Sequence, residues 1–495
     1  MRRIVFAILA VLVSAAAAAG GARDWRQASP LPLERLGPRE VSPSVRCPPG
    51  DTARLDSILQ SVMDSFSIPG MATMVVQDGR VTWNRCYGYA ILGDSINDSV
   101  PVTDTTCFSL ASVSKTVTGM AMMQLWENGY FDLDGSINES LPFPVRHSRF
   151  PDSTITFKML MTHTSGIRDN YTNIFRYLSY LDPDSSMRAF LEDYFIPGQP
   201  GYDSANNFYQ NLAPGEGFQY SNVAVTLGAF GVEVMAESFP MYTRDSIFRP
   251  LGMDRTTWFF GDLDTMSVAC QYEWSEPIGW YRYGYTSGAL YPAAFLKSCT
   301  RDLGIFLNTW LAHGRHDSLQ LLDSATVGLM LTPYVWDPLT QTWQGLIWYH
   351  SYTADDTLWC HQGAWYGVTT YVGISRRDNS GIIVLTNGHM QYEAVFDRVA
   401  PALHAFASRA GIAEQPGPSV DWQPRSTLVH GTLFLASSPS SSPSWLLDIS
   451  GRRVAELRAG DNDIRHLAPG IYFVRSEPSA VRCQPPAVQK VIVTR

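Results

Sequence analysis

A chain of 495 residues with 45% hydrophobic and 12% aromatic content can bury a large core, so it is globular and long enough for two or three structural units. The formal net charge of -9 and the scarcity of lysine (Lys115, Lys158, Lys297 and Lys490) leave no concentrated basic stripe, which argues against a nucleic-acid surface. Neither C-x-x-C nor H-E-x-x-H occurs, so the usual zinc signatures are missing and no metal is expected.

Arg2 and Arg3, an apolar run from Ile4 to Ala19 and small residues up to Ala22 have the layout of a secretory signal peptide, residues 1–22. An uncleaved anchor is the alternative, but the run is short for a bilayer span. Residues 23–45 form an N-terminal linker, and the expected location is secreted, periplasmic or at the cell surface. Export permits disulfides. The seven cysteines (47, 86, 107, 270, 299, 360 and 483) cannot all pair internally, and their pairing stays open.

Leu55, Ile58, Leu59, Val62, Met63 and Phe66 recur at helical spacing until Pro69-Gly70 stops them. Met71 to Gln77 and Arg80 to Cys86 flank Asp78-Gly79, a dipeptide suited to the positive φ angles of a hairpin turn. Gly367 to Ser375 and Ile382 to Asn387 form a second β-rich pair, followed by a helical pattern near Tyr392 to Arg409. Both ends of residues 46–412 thus supply strands while the middle supplies mostly helices. The fold class is α/β (α+β): an antiparallel sheet flanked by helices, with a mostly helical subdomain beside it and a cleft between them. Pro- and Gly-rich residues 413–428 read as a linker. Residues 429–495, with short alternating segments, read as a small β-sandwich.

Ala111-Ser112-Val113-Ser114-Lys115-Thr116 leads into an apolar helical pattern (Val113, Val117, Met120, Ala121, Leu125) that Gly129 ends. The spacing predicts Ser112 at the start of a helix and Lys115 on the same face, within reach of the serine hydroxyl. Serine needs a base to become a nucleophile, and lysine serves only if its surroundings lower its pKa, so Lys115 should be buried. The bland alternative is an accidental S-x-x-K with Ser112 as a helix cap. None of the other lysines makes that pattern.

From this element onward the sequence resembles the serine β-lactamase and penicillin-binding-protein superfamily, in particular class C β-lactamases, D-Ala-D-Ala carboxypeptidases and related esterases. That family's second element, Tyr-x-Asn, is matched by Tyr220-Ser221-Asn222, after a Pro214-Gly215 turn and before an apolar helical pattern from Val223 to Met235. Tyr171-Thr172-Asn173 and Tyr209-Gln210-Asn211 are rival triplets without that context. The third element, Lys-Thr-Gly in many members, is absent, and His361-Gln362-Gly363-Ala364 stands in its place as a His-x-Gly variant.

The resemblance implies that Tyr220 shares a proton with Lys115 and passes it to the leaving group, and that Asn222 and His361 contact the substrate. It also implies that Ala364 adds its N–H to that of Ser112 as an oxyanion hole, with Gly363 allowing close approach to the strand. Met161 to Gly166, which contains His163 and Ser165, and Arg249 to Met253 also look like the family and read as structural. The expected function is an exported serine hydrolase acting through an acyl-enzyme on a small peptide, β-lactam or ester, with no cofactor. A non-catalytic protein that binds cell-wall peptides is the alternative. Leu447 to Val454, Leu467 to Val474 and Lys490 to Arg495 resemble the C-terminal sorting domains of secreted bacterial proteins, including type IX secretion cargo, and imply contact with secretion machinery or the cell surface.

Overall fold

The computed structural model describes residues 49–93, 98–275, 279–353 and 356–410, and in the C-terminal part 427–429, 432–435, 444–448, 452–458, 460–476 and 488–493. The expected signal peptide, the N-terminal linker 23–45 and nearly all of the linker 413–428 lie outside the described residues. Two compact units divide at Ala413 and Glu414.

In the first unit the principal helices are α1 (Pro49–Phe66), α2 (Ser114–Glu127), α3 (Asn222–Ala236), α4 (Thr300–Leu311) and α5 (Ala400–Ala410). Strands β1 (Gly70–Gln77), β2 (Arg80–Ile91) and β3 (Val100–Pro101) come early, and short β4 (Phe108–Ser109) and β5 (Lys297–Ser298) pair apart from the main sheet. The late strands are β6 (Val335–Asp337), β7 (Thr342–Gln344), β8 (Tyr349–Thr353), β9 (Asp356–Trp365), β10 (Val368–Ser375) and β11 (Ser380–Thr386). Early and late strands merge into one nine-stranded antiparallel sheet, in the order β6-β7-β8-β9-β10-β11-β1-β2-β3. Asp78 and Gly79 turn β1 into β2 with φ of 50° and 75°, the left-handed pair that fits the twist of a tight hairpin.

Strand period sorts the β1 side chains onto two cores. Met71 and Val75 pack with Leu55 and Leu59 of α1 and Leu403 and Phe406 of α5. Ala72, Met74 and Val76 face the helical middle of the chain, where Val117, Met120 and Ala121 of α2 and Leu303 and Phe306 of α4 close the larger core. The sheet is therefore covered by the first and last helices on one side and by the middle of the chain on the other. Helix α2 is buried from Ser114 to Leu125, on every side and not on one stripe. Gly304 brings α4 down on the sheet, since a Cβ there would lie 2.7 Å from the sulfur of Met74.

The second unit has a five-stranded sheet, in the order Thr427–Val429, Val488–Val493, Gly470–Ser476, Ser444–Leu447, Arg453–Leu457, and a two-stranded one, Thr432–Leu435 with Gly460–Asp463. Leu433 of the smaller sheet shares a core with Leu446, Leu457, Tyr472 and Val474 of the larger, as the two layers of a sandwich require.

Candidate active site

Ser112 lies in a single 3-10 turn, Ala111–Val113, that feeds directly into α2. Ala111 holds φ at 47°, a left-handed conformation that costs a non-glycine residue about 1–2 kcal/mol and lasts only where its surroundings enforce it. Those surroundings are visible. The Leu110 N–H donates to Leu296 O at 2.8 Å, extending the β4–β5 pairing to the edge of the turn. The Thr370 hydroxyl of β10 donates to Leu110 O at 2.7 Å.

Gly363 of β9 faces the same turn. A Cβ at that position would collide with Leu110 O and the Thr370 hydroxyl and would lie 3.2 Å from the Ser112 nitrogen. Gly363 thus lets the Ser112 turn sit against the strand. Gly363→Ala should displace the Ser112 turn, lowering stability by about 3 kcal/mol in chemical denaturation.

Lys115 is fully buried in the first turn of α2. Its Nζ lies 3.0 Å from Ser112 Oγ, 2.7 Å from Asn222 Oδ1 and 2.7 Å from Ala293 O. Asn222 Nδ2 donates to Asp169 Oδ2 at 2.7 Å, so the amide oxygen must be the atom facing the lysine. The segment supplying Ala293 O is bound to α2 by Thr118, which donates to Pro292 O at 2.6 Å, and by Ser114, which accepts from the Leu296 N–H at 3.0 Å. A neutral amine has two N–H bonds and one lone pair. Asn222 Oδ1 and Ala293 O can only accept, so they take the two protons and leave the lone pair to the Ser112 hydroxyl. Burial lowers the Lys115 amine to about 7, against an opposing pull from the Asp169 carboxylate, so the neutral form is populated near neutrality.

Tyr220 stands 36% exposed at the site, with Lys115 Nζ 4.9 Å from its ring centre. Desolvation pushes its phenol up, a hydrogen bond with Ser112 draws it partly back, and Asp169 adds to the rise. A phenol held high keeps its proton at neutral pH, so it can pass a proton on but is a poor base.

His163, read from the sequence as structural, and Asp169, which the sequence does not single out, hold this tyrosine and Asn222. His163 brackets Tyr220: its carbonyl accepts the Gln219 N–H at 2.6 Å, its Nδ1 accepts the Ser221 N–H at 3.2 Å, and its ring lies 4.4 Å from that of Tyr220. Burial keeps His163 well below the ordinary histidine range, with Lys115 and His361 adding to the effect, so it stays neutral. Asp169 accepts from the Ser221 hydroxyl and the Asn222 and Val223 N–H groups, each at 3.0 Å, as well as from Asn222 Nδ2. It caps α3 and aims Asn222 at once. The only signal for either residue is their place in and just after the stretch Met161 to Gly166, and nothing in sequence spacing links that stretch to residue 220.

His361, Gly363 and Ala364 lie on β9, where Gly363 and Ala364 pair with Thr370 and Thr369 of β10. His361 is buried, and desolvation followed by the charge of Lys115 lowers its imidazole to about 3. Its Nδ1 is 2.8 Å from Gln362 O, a carbonyl that can only accept, so Nδ1 carries the proton and Nε2 presents a lone pair. The structure therefore brings Ser112, Lys115, Tyr220 and Asn222 together and lays Gly363 against the Ser112 turn. Of the rival tyrosines, Tyr171 lies near enough to feel both Tyr209 and Tyr220, but Lys115 stands over the ring of Tyr220. Among the described residues, no group of His, Cys, Asp and Glu side chains could hold a metal ion.

Residues 55–405 match the family model described as Beta-lactamase, so the chain belongs to that family, whose members are generally serine hydrolases. Protein flp of Staphylococcus aureus (strain MW2) is 24% identical over 347 residues, covering 68% of this chain and 64% of its own length. Among solved structures, the octameric penicillin-binding protein homologue from Pyrococcus abyssi is similar with a TM-score of 0.58 at 19% identity, covering 89% of this chain and 90% of that one. EstCE1, a hydrolase with promiscuous acyltransferase activity, has a TM-score of 0.58 at 18% identity, covering 72% of this chain and 98% of that one. These likenesses establish the β-lactamase-like fold.

Proposed function

We propose that the chain hydrolyses carboxylic esters or amides through an acyl-enzyme on Ser112, and that its preferred substrates carry no free carboxylate beside the scissile bond. The observation that carries the first half is the three-way fixing of Lys115, which leaves its lone pair for the Ser112 hydroxyl. In this reading the Ser112 proton moves to Lys115 Nζ as the oxygen attacks the substrate carbonyl. The oxyanion is held by the N–H groups of Ser112 and Ala364, next to the start of α2. Collapse breaks the bond to the leaving group, which takes the proton from Lys115 through Tyr220. Water then repeats the sequence against the acyl-enzyme and restores Ser112.

His361 supports the second half. A neutral imidazole with its lone pair on Nε2 cannot grip a carboxylate as a lysine ammonium does, but it can accept a hydrogen bond from a neutral group. Short acyl esters should therefore be turned over with kcat/KM at least about 10-fold above that for D-alanyl peptides or penicillins. Steady-state rates on p-nitrophenyl esters, D-alanyl dipeptides and a chromogenic β-lactam decide it. Faster Ser112-dependent turnover of the carboxylate-bearing substrates would overturn the preference, and Ser112-independent or undetectable turnover of all three would favour the non-catalytic binding protein. Tyr220→Phe keeps the ring and removes the relay oxygen, so kcat should fall about 10²-fold with KM little changed.

The same proposal includes export by residues 1–22 and surface or secretion contact through residues 429–495. Its support is the charge and apolar layout of the first and the β-rich composition of the second.

A further inference from the structure

Strands β4 and β5 pair antiparallel in the register Phe108 with Ser298 and Ser109 with Lys297. One step outward, the same register sets Cys107 directly opposite Cys299. The backbone shows which kind of pair this is. The Cys107 N–H donates to Ser267 O at 2.9 Å, and Cys107 O accepts from the Ala269 N–H at 2.8 Å, so both groups turn away from Cys299. Leu110, three residues on, donates across to Leu296 O. The alternation therefore makes Cys107 and Cys299 a non-hydrogen-bonded pair, the kind whose Cα atoms approach to about 4.5 Å with side chains on one face. That lies at the short end of the Cα span of about 4.4–6.8 Å that a disulfide bridges.

We propose that Cys107 and Cys299 form a cross-strand disulfide when the chain folds in the presence of a small-molecule disulfide. In the step, the two thiols lose two protons and two electrons as the S–S bond forms, and the oxidant's S–S bond is cleaved to two thiols. Both residues are buried and both are unbonded in the structure. Cys107 Sγ instead donates to Arg255 O at 3.2 Å. Burial pushes the Cys107 thiol up to about 11 and raises Cys299 further, with Asp302 and Cys107 among the contributors, so neither attacks readily once the core has closed. Exchange therefore belongs to the folding chain. The bond would fasten the residues that lead into the Ala111–Ser112 turn to the N-cap residue of α4.

The test uses the full-length chain. It is unfolded with reductant, refolded in reduced and oxidised glutathione, alkylated with N-ethylmaleimide in denaturant, and digested without reduction for mass spectrometry. A second digest uses chain expressed in an oxidising bacterial periplasm, so the result does not depend on refolding in the tube. The expected result is a linked pair of peptides containing Cys107 and Cys299, abolished by reductant, with Cys107 alkylated in Cys299→Ser. Recovery of both cysteines alkylated from folded protein, or of Cys107 joined to any other cysteine, would overturn the proposal.

Discussion

Replacing Ser112 with alanine is expected to lower kcat by at least about 10⁴-fold on any ester the protein hydrolyses, while leaving the fold and substrate affinity nearly intact. The side chain is half-buried at the mouth of the site, and its hydroxyl is not what holds the turn in place. The β4–β5 pairing, Thr370 and Gly363 do that, and none of them uses the Ser112 oxygen. Steady-state kinetics with thermal unfolding of the same preparation separates lost chemistry from lost structure. A variant that unfolds at the parent temperature yet retains more than about 1% of the parent kcat would remove Ser112 from the reaction.

Lys115→Met is expected to cost at least about 10³-fold in kcat/KM, since an apolar chain of similar length fills the buried space but accepts no proton. The pH profile of the parent carries the same information. The amine must be neutral to act as base, and burial sets it at about 7, so kcat/KM should be low in acid, rise through about pH 7 and level off above. His361 and His163, both held below the ordinary histidine range by burial, are already neutral across that interval and add no second limb. A profile flat from pH 5 to 9 would separate Lys115 from the proton transfer.

Burial of a lysine is not distinctive by itself. Lys297 is equally buried, donates a hydrogen bond to Trp258 O at 2.8 Å, lies 4.0 Å from the ring centre of Phe260, and is lowered by desolvation to about 7. What separates Lys115 is its serine neighbour, and that was readable in the sequence because lysine is scarce and S-x-x-K is short. The Asp78-Gly79 hairpin, the late strand pair and the flanking helices were legible for a similar reason: each rests on local periodicity and turn chemistry.

Other features follow from long-range contacts and leave no local mark. The Ala293 carbonyl that accepts from Lys115 is a backbone atom, so residue type does not reveal it. Asp169 acts on a helix that begins 53 residues later in the chain, and His163 acts through its carbonyl and one ring nitrogen on the backbone around Tyr220. Ala111 takes a left-handed φ where glycine would be the natural choice, and only packing enforces it. The edge strand Val335–Asp337 and its neighbour Thr342–Gln344 are three residues each, too short for alternation to show.

The most direct test of the covalent mechanism is to mix the protein with an excess of a p-nitrophenyl ester, quench in acid during turnover, and locate the acyl group by peptide mass spectrometry. One acyl group on the Ser112 peptide, accumulating within the first turnover and disappearing when substrate is exhausted, is the predicted result. Turnover with the Ser112 peptide unmodified and the acyl group on a different residue would contradict it.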